Sequence, residues 1–190
     1  MDHDLEFDEG KHEYRLDGKI LPSVTHILDK MGFVDSTFFT EESRMRGVIV
    51  HKLCEMWDMD ILDPLTVDPR LKGYLEAWKR FVKDTGIVFT HVEHRMASRL
   101  YGYAGTLDRV GIDGKGRKLL IDIKTGGAWP HIEYQLSAYR ILLDEQCERG
   151  FHENMSVHLK EDGRFEVQPW EHSPEDWKAI LRVYKMKEKK

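Results

Sequence analysis

Asp122 and Lys124, an acid and a base that could do chemistry together, lie two positions apart in segment 118–124. The segment is rich in leucine and isoleucine and predicts a β-strand, in which alternate side chains point to the same face. The carboxylate and the ammonium group therefore share one face, and Leu119, Ile121 and Ile123 share the other. The pair could act on a phosphate. It could equally be an exposed polar row on an amphipathic strand, because Asp-x-Lys is common by chance.

A hairpin turn before this strand sets a second carboxylate opposite the first. Residues 113–116, Asp-Gly-Lys-Gly, predict the turn. If its last three residues form the loop, Asp113 pairs with Arg117, and counting back along the hairpin sets Asp108 opposite Asp122. Like charges directly opposed on neighbouring strands are destabilising unless something lies between them. The alternative is that Asp108 belongs to a cross-strand network around the adjacent arginine.

A divalent cation would compensate the two opposed carboxylates. Carboxylate oxygens on rigid strands, with a backbone carbonyl nearby, suit Mg²⁺ or Mn²⁺ better than a softer metal. Such an ion can polarise a phosphodiester and lower the pKa of a bound water, while Lys124 stabilises negative charge on the phosphate or orients the water. The three residues Asp108, Asp122 and Lys124 therefore predict a hydrolytic centre.

Hydrophobic periodicity predicts the elements that must position these residues. Residues 5–21 predict two short strands around Gly10 and a second turn at Asp17-Gly18, which together would form an edge hairpin or cap. The later elements are a helix over 37–60 capped by Thr40, a helix over 68–84, strands over 87–98, 102–112 and 117–125, a helix over 130–148, a hairpin over 155–168, and a helix over 173–188 capped by Ser173. This order predicts an α/β domain with a mixed sheet flanked by helices.

The predicted helix over 37–60 carries its apolar residues at helical spacing. They are Met45, Val48, Ile49, Leu53, Met56 and Trp57. This spacing predicts that the segment forms a helix.

Length and charge bound the function. The 190 residues fit a single domain, which we divide into a hairpin and cap region over 1–36 and a helical and catalytic core over 37–190. The net charge of −5 argues against a protein that coats nucleic acid by charge alone, so phosphate contacts must be local. The start of the chain resembles no signal peptide and no long apolar stretch occurs, so we expect a cytoplasmic protein of a bacterial or phage-infected cell, with no membrane contact.

The two cysteines, Cys54 and Cys147, are too few for a disulfide framework or a four-thiolate cluster. Both lie in stretches that predict helices. We therefore interpret both as small core residues.

Several motifs in one order strengthen the catalytic interpretation. They are Tyr14-Arg15-Leu16-Asp17-Gly18, Leu21-Pro22-Ser23-Val24-Thr25, Gly47-Val48-Ile49-Val50-His51, Glu93, Gly105-Thr106-Leu107-Asp108, Ile121-Asp122-Ile123-Lys124-Thr125-Gly126 and Gln135-Leu136-Ser137-Ala138-Tyr139. In this order they resemble the RecB-like branch of the PD-(D/E)XK nuclease superfamily, which includes phage exonucleases, CRISPR-associated nucleases and mitochondrial genome maintenance exonuclease. The resemblance covers roughly residues 14–140 and implies a restriction-endonuclease-like sheet.

The resemblance also implies roles for single residues. It makes His51, Asp108, Asp122 and the Ile123 carbonyl metal ligands, and it makes Lys124 the catalytic lysine. Glu93 would be a catalytic helper near a second metal position, and Gln135 and Tyr139 would position the substrate from one helix face. Leu107 replaces the proline of the superfamily name, as is ordinary in this branch. The cluster cysteines of the CRISPR-associated relatives are missing, so an iron–sulfur cluster is not expected.

The predicted substrate is DNA, single-stranded or with a free end. Arg44 and Arg46, one to two turns before His51, would form a wall of the substrate channel. The resemblance to end-processing nucleases and the acidic net charge both favour an exonuclease acting in DNA processing, recombination or repair, with replication or recombination proteins as further partners. Two other classes stay open: a non-catalytic binding module on the same fold, and a metal-dependent hydrolase of another phosphate ester.

Overall fold

The computed structural model describes residues 5–34 and 40–189. The chain begins with a three-stranded antiparallel sheet of β1 (Leu5–Asp8), β2 (Glu13–Leu16) and β3 (Lys19–Leu21). Asp17 and Gly18 both have positive φ at the second turn, as the sequence predicted for a turn there. The predicted hairpin is therefore present and is extended by a third strand.

Besides a short 3₁₀ helix at Pro64–Thr66, the described chain has five α-helices. They are α1 (Val24–Lys30), α2 (Glu41–Asp58), α3 (Lys72–Thr85), α4 (His131–Glu145) and α5 (Pro174–Glu188). The sequence did not predict α1. Residues 37–39 of the predicted first helix lie outside the described residues, and the Thr40 hydroxyl accepts a hydrogen bond from the Ser43 amide, as expected of a helix cap. None of the described helices is long and apolar enough to cross a membrane.

A five-stranded mixed sheet forms the centre of the fold. Its strands are β4 (Val88–Ser98), β5 (Tyr103–Ile112), β6 (Lys118–Lys124), β7 (Glu153–Leu159) and β8 (Phe165–Trp170). The strands lie in chain order, and only β6 and β7 are parallel. The predicted class, a mixed sheet flanked by helices with an N-terminal hairpin, is confirmed.

The turn between β5 and β6 sets the register of these two strands. The Asp113 amide donates to the Arg117 carbonyl at 3.0 Å, and Arg109 pairs with Ile121 further along the hairpin. This register, continued by one residue, sets Asp108 opposite Asp122. The predicted hairpin register is therefore confirmed.

The two faces of the sheet bury different helices. Leu120 packs in the cluster that includes α1, α4 and α5, whereas Leu119, Ile121 and Ile123 pack in the cluster that includes α2 and α3. Strand alternation thus places the apolar residues of β6 on both faces. The end of the strand that carries Asp122 lies between the two cores.

The apolar residues of α2 do not form one buried face. Val50 and Cys54 are its fully buried residues, whereas Met45 and Val48 expose 58% and 71% of their surface. Val50, Cys54 and His51 lie on the side of the helix that faces the sheet. Met45 and Val48 therefore face outward. A mixed pattern of this kind has no single apolar stripe, and tertiary contacts decide its rotation.

Two smaller expectations also fail. Cys147 is exposed and has φ +63°, because α4 ends at Glu145 and the cysteine lies in the turn beyond it. Ser173 precedes α5, but its hydroxyl donates to Glu133 on α4 instead of accepting from its own helix. A hydrogen bond to a charged carboxylate is stronger than one between neutral groups, so the Ser173 hydroxyl bonds to Glu133 and not to its own helix. The residue therefore links α5 to α4.

The N-terminal sheet is held on the central one by polar and backbone contacts. The Tyr14 and Thr106 hydroxyls lie 2.7 Å apart, and the Ala104 amide donates to the Pro22 carbonyl at 3.0 Å. Tyr14, Leu16, Ala97 and Ala104 form a small buried cluster between the sheets. The cap therefore has a defined position beside β5.

Gly73 in α3 gives a test of how closely the fold is packed. A Cβ at this position would lie 1.5 Å from the Glu161 carbonyl oxygen in the β7–β8 turn. We expect Gly73→Ala to lower the free energy of unfolding by about 1–3 kcal/mol or more, as overpacking does. Gly47→Ala is the matched control, because its Cβ would meet nothing closer than 3.9 Å and alanine favours a helix by about 1 kcal/mol. Urea denaturation measures both. Equal stability of Gly73→Ala and wild type would contradict the packing.

Candidate active site

Asp122 and Lys124 form an ion pair at the end of β6. Lys124 Nζ lies 2.7 Å from Asp122 Oδ2, and the Asp122 side chain is 2% exposed. Burial raises the pKa of the Asp122 carboxyl to about 6, although Lys124 opposes that rise. The nearby Asp108 carboxylate adds to it. The pair therefore lies in an environment with an excess of negative charge.

Gln135 on α4 holds the other oxygen of this carboxylate. Gln135 Nε2 donates to Asp122 Oδ1 at 3.0 Å and lies 3.3 Å from the Tyr139 hydroxyl. Gly105 permits this approach, since a Cβ there would lie 2.7 Å from the Tyr139 ring. Burial raises the pKa of Tyr139, so the phenol stays protonated. Gln135 and Tyr139 share a helix face, as their spacing predicted, and the structure places them against Asp122.

His51 on α2 reaches the same strand end from the opposite side. Its Nε2 lies 2.7 Å from the Ile123 carbonyl oxygen, which can only accept, so Nε2 carries the proton. Nδ1 of the neutral ring is then a lone-pair donor, and it lies 3.6 Å from Asp108 Oδ2. That oxygen also accepts from the Ile123 amide at 2.6 Å. The Ile123 carbonyl, which the resemblance made a metal ligand, is therefore bonded to His51 in this structure.

Glu93 on β4 joins the group through an unusual backbone. It lies between Val92 and His94, which pair with Arg109 and Leu107, and this register sets it opposite Asp108. Its φ of +45° lies in the left-handed region, which is rare within a strand and costs about 1–3 kcal/mol. Burial, and then Asp108, raise the pKa of Glu93 to about 7. Strain and repulsion thus both accompany the placement of this carboxylate.

Three of these groups could hold a metal ion together. His51, Glu93 and Asp108 each offer a donor atom within 4.8 Å of the others. One imidazole nitrogen and two carboxylate oxygens suit Mn²⁺ or Mg²⁺. Asp122, which the sequence placed among the ligands, lies outside this group and faces Lys124 and Gln135. Burial, and then the neighbouring Asp108 carboxylate, raise the pKa of the Glu93 and Asp122 carboxyls, and a cation would stabilise their charged forms, so the residues fit a divalent ion.

A buried arginine that was not predicted as a site residue supports the cluster. Arg109 is fully buried; its Nε lies 2.6 Å from Asp58 Oδ2, and its Nη1 lies 2.8 Å from Glu93 Oε1. Trp78 Nε1 donates to the other Asp58 oxygen at 2.9 Å. The sequence also allowed a network between Arg109 and the Asp108 carboxylate. That network does not form, since the contact of Arg109 with Asp108 is a hydrogen bond to the backbone carbonyl. No sequence signal marks Asp58, because its partner lies 51 residues away.

A second unpredicted group anchors the loop after Lys124. His158 lies beside Lys124 in the parallel β6–β7 pair, and its Nδ1 lies 2.8 Å from the Gly126 carbonyl oxygen. Its Nε2 lies 2.7 Å from the Ser156 hydroxyl, which also accepts from Trp170. Ser156 is fully buried and cannot reach a substrate, so the Ser156–His158 pair is not a nucleophile and its base. The histidine instead holds the loop through its hydrogen bond to Gly126.

Two clefts meet at this centre. The first, which we call the α1 cleft, has a volume of about 1180 Å³ and is lined by Lys11, His26, Arg44, Arg46 and Trp129 among others. The second, which we call the β4 cleft, has a volume of about 710 Å³ and is lined by Glu9, Lys52, Glu55, Glu93 and Arg95 among others. Both reach His51, Lys124 and Gln135. The predicted substrate arginines thus line the larger cleft, beside the candidate centre.

Comparisons with known proteins bear on the fold. No protein-family model matches the chain, and no curated protein matches it significantly in sequence. The solved structure of a "Putative exonuclease" from Eubacterium rectale matches with a TM-score of 0.52 and 10% identity, over 87% of this chain and 77% of that one. An alkaline exonuclease from Laribacter hongkongensis matches with a TM-score of 0.44 and 14% identity, over 87% and 86%. The predicted resemblance to nucleases is confirmed at the level of the fold.

The raised pKa values of the carboxyls predict a pH-dependent stability. A carboxyl whose pKa is raised on folding keeps its proton in the folded state while the unfolded chain loses it, so stability falls as pH rises toward the folded pKa. For Glu93 the window runs from its ordinary value of 4.5 to about 7. We expect metal-free Glu93→Gln to gain in melting temperature relative to wild type between pH 5 and pH 7.5, because glutamine does not titrate.

Melting curves in EDTA at both pH values measure this difference. Glu171→Gln is the control, because Glu171 is exposed, and its offset from wild type should not change with pH. The same offset for Glu93→Gln at both pH values would contradict the raised pKa of Glu93 that burial and Asp108 produce.

Proposed function

We propose that the protein is a divalent-metal-dependent nuclease of the PD-(D/E)XK class that hydrolyses phosphodiester bonds in DNA. The observation that carries this proposal is the meeting of the His51, Glu93 and Asp108 group with the Asp122–Lys124 pair at the junction of two clefts. The similarity of the fold to that of a protein named an exonuclease supports it.

His51, Glu93 and Asp108 would hold the ion, with Asp122 and the Ile123 carbonyl as the further ligands that the sequence predicts. Mg²⁺ or Mn²⁺ bound there would polarise the phosphodiester and lower the pKa of a water molecule. The Nε2–H bond from His51 to Ile123 fixes the ring so that Nδ1 faces Asp108. A fixed tautomer of this kind is the usual arrangement of a metal-binding histidine.

Lys124 supplies the positive charge for the substrate. Asp108 and Asp122 favour its charged form and raise its pKa against the effect of burial, so the ammonium group is present at neutral pH. It can donate to an oxygen of the scissile phosphate and stabilise the charge that develops during hydrolysis. Gln135 keeps Asp122 oriented toward Lys124, and Tyr139 supports Gln135 from behind.

The size of the α1 cleft favours a polymeric substrate over a small phosphate ester. Small-molecule sites are typically about 300–1,000 Å³, and this cleft has a volume of about 1180 Å³. A non-catalytic binding module is disfavoured because every predicted acid and the lysine are present and close together. DNA, and a role in its processing, recombination or repair in a phage or bacterial setting, follow from the resemblance alone.

Asp122→Asn and Lys124→Ala should separate the roles of metal binding and charge stabilisation. Asp122→Asn removes a negative oxygen from the centre, so we expect it to abolish DNA cleavage and weaken Mn²⁺ binding. Lys124→Ala should keep Mn²⁺ binding and lose about 10²–10³ in turnover, a typical cost of losing one charge-stabilising donor. Calorimetry measures the metal and single-turnover kinetics measure cleavage. Asp84→Asn and Lys187→Ala, both exposed, are the controls. Wild-type turnover in either site variant would remove its assignment.

We further propose that cleavage needs a free end, as in an exonuclease. The comparison uses linear and covalently closed circular single-stranded DNA of one sequence with Mg²⁺ or Mn²⁺. Mononucleotides or short oligonucleotides should appear from the linear form while circles stay intact. Equal loss of both forms would refute the end requirement and leave the nuclease assignment in place.

A further inference from the structure

The two clefts that meet at the candidate centre differ in how their charges are compensated. In the β4 cleft, Lys52 is paired with Glu55 at 2.7 Å and Arg95 with Glu9 at 3.0 Å. Glu93 also lines this cleft, as does Asp108. Among the described residues that line this cleft, four carboxylates stand against two cations, apart from the shared Lys124, so the negative charge is in excess.

The α1 cleft has the opposite arrangement. Within the part of the chain that the structure describes, Lys11, Arg44 and Arg46 form no ion pair with any carboxylate, and all three line this cleft. Of the two carboxylates among the described residues that line it, Glu13 is already engaged by Arg15 at 2.5 Å, which leaves Asp29. The cleft therefore offers cations that need not break an existing ion pair to meet a phosphate.

An aromatic surface lies in the same cleft. Trp129 exposes 38% of its surface there, whereas Trp78 and Trp177 are fully buried in the cores. Tyr103 is also fully buried and is excluded as a stacking group. Unpaired bases bind proteins through cationic grooves combined with exposed aromatic rings, and the α1 cleft has both.

We propose that the body of a single-stranded DNA substrate lies in the α1 cleft, along Lys11 and Arg44, and that the β4 cleft receives only the short product beyond the scissile phosphate. This inference rests on the proposed nuclease function and adds the path of the strand. The uncompensated cations attract the phosphates of the retained strand and release their counterions. The carboxylates of the β4 cleft repel a phosphate chain, so few nucleotides can extend past Lys124 before they leave.

Salt dependence of binding tests the path. Fluorescently labelled oligothymidylate is titrated with the protein in EDTA, so that no cleavage occurs, over a series of KCl concentrations. For single-stranded DNA, each neutralised phosphate contributes about 0.7 to the slope of log K against log salt concentration. We expect Lys11→Gln and Arg44→Gln each to weaken binding and to make the slope shallower by about 0.7. Lys52→Gln and Arg95→Gln, the matched variants of the β4 cleft, should keep the wild-type slope.

The slope of log K against log salt concentration is compared, and not affinity alone, because a general loss of structure would lower affinity without removing one specific ionic contact. Melting curves check the fold of each variant. An unchanged slope in both α1-cleft variants, or an equal reduction in the β4-cleft variants, would overturn the proposed path. If wild type cleaves DNA but does not bind the oligonucleotide in EDTA at low salt, the path is also wrong while the nuclease function stands. Absence of both cleavage and binding would refute the function itself.

Discussion

The concentration of negative charge at one end of the central sheet is the constraint on which the rest of the site depends. Its carboxylates are Asp58, Glu93, Asp108 and Asp122. Arg109 and Lys124 are the cations that pair with them. Placing charged groups in a protein interior is costly unless they are paired and hydrogen-bonded. Burial, and then the Asp108 carboxylate, raise the pKa of Glu93 and Asp122 despite these cations, and a divalent cation would stabilise the charged carboxylates further.

The buried arginine also explains how a helix is held in place to deliver His51. Asp58 lies two helical turns after His51 on α2 and therefore on the same side of the helix. Its carboxylate is held by Arg109 on β5 and by Trp78 on α3. The ion pair therefore fixes the rotation of α2, and with it the position of the imidazole over Asp108. The same rotation turns Met45 and Val48 outward.

Strands and helices position different residues of the centre. Strands β5 and β6 set Asp108, Asp122 and Lys124 at fixed spacing, because the short turn between them permits one register. Helix α4 places Gln135 against Asp122 from one face of the sheet, and α2 places His51 from the other. The open space left between these elements forms the two clefts, whose charges differ according to the pairing of their side chains.

The sequence by itself determined what depends on neighbouring residues. Alternation along β6 placed Asp122 and Lys124 on one face, and the turn at 113–116 set Asp108 opposite Asp122, because both follow from local backbone geometry. The Thr40 cap and the i, i+4 spacing of Gln135 and Tyr139 are local in the same way.

Only the tertiary structure decided the features that join distant segments. The Arg109–Asp58 pair, the rotation of α2, the left-handed backbone of Glu93 and the bond from Ser173 to Glu133 each depend on a partner far along the chain. Periodicity and propensity describe a segment in isolation. The cost of burying a charged group, in contrast, is offset by an opposite charge that the fold brings near from a distant segment. That is why the sequence predicted the residues of the candidate centre but not the contacts that hold them there.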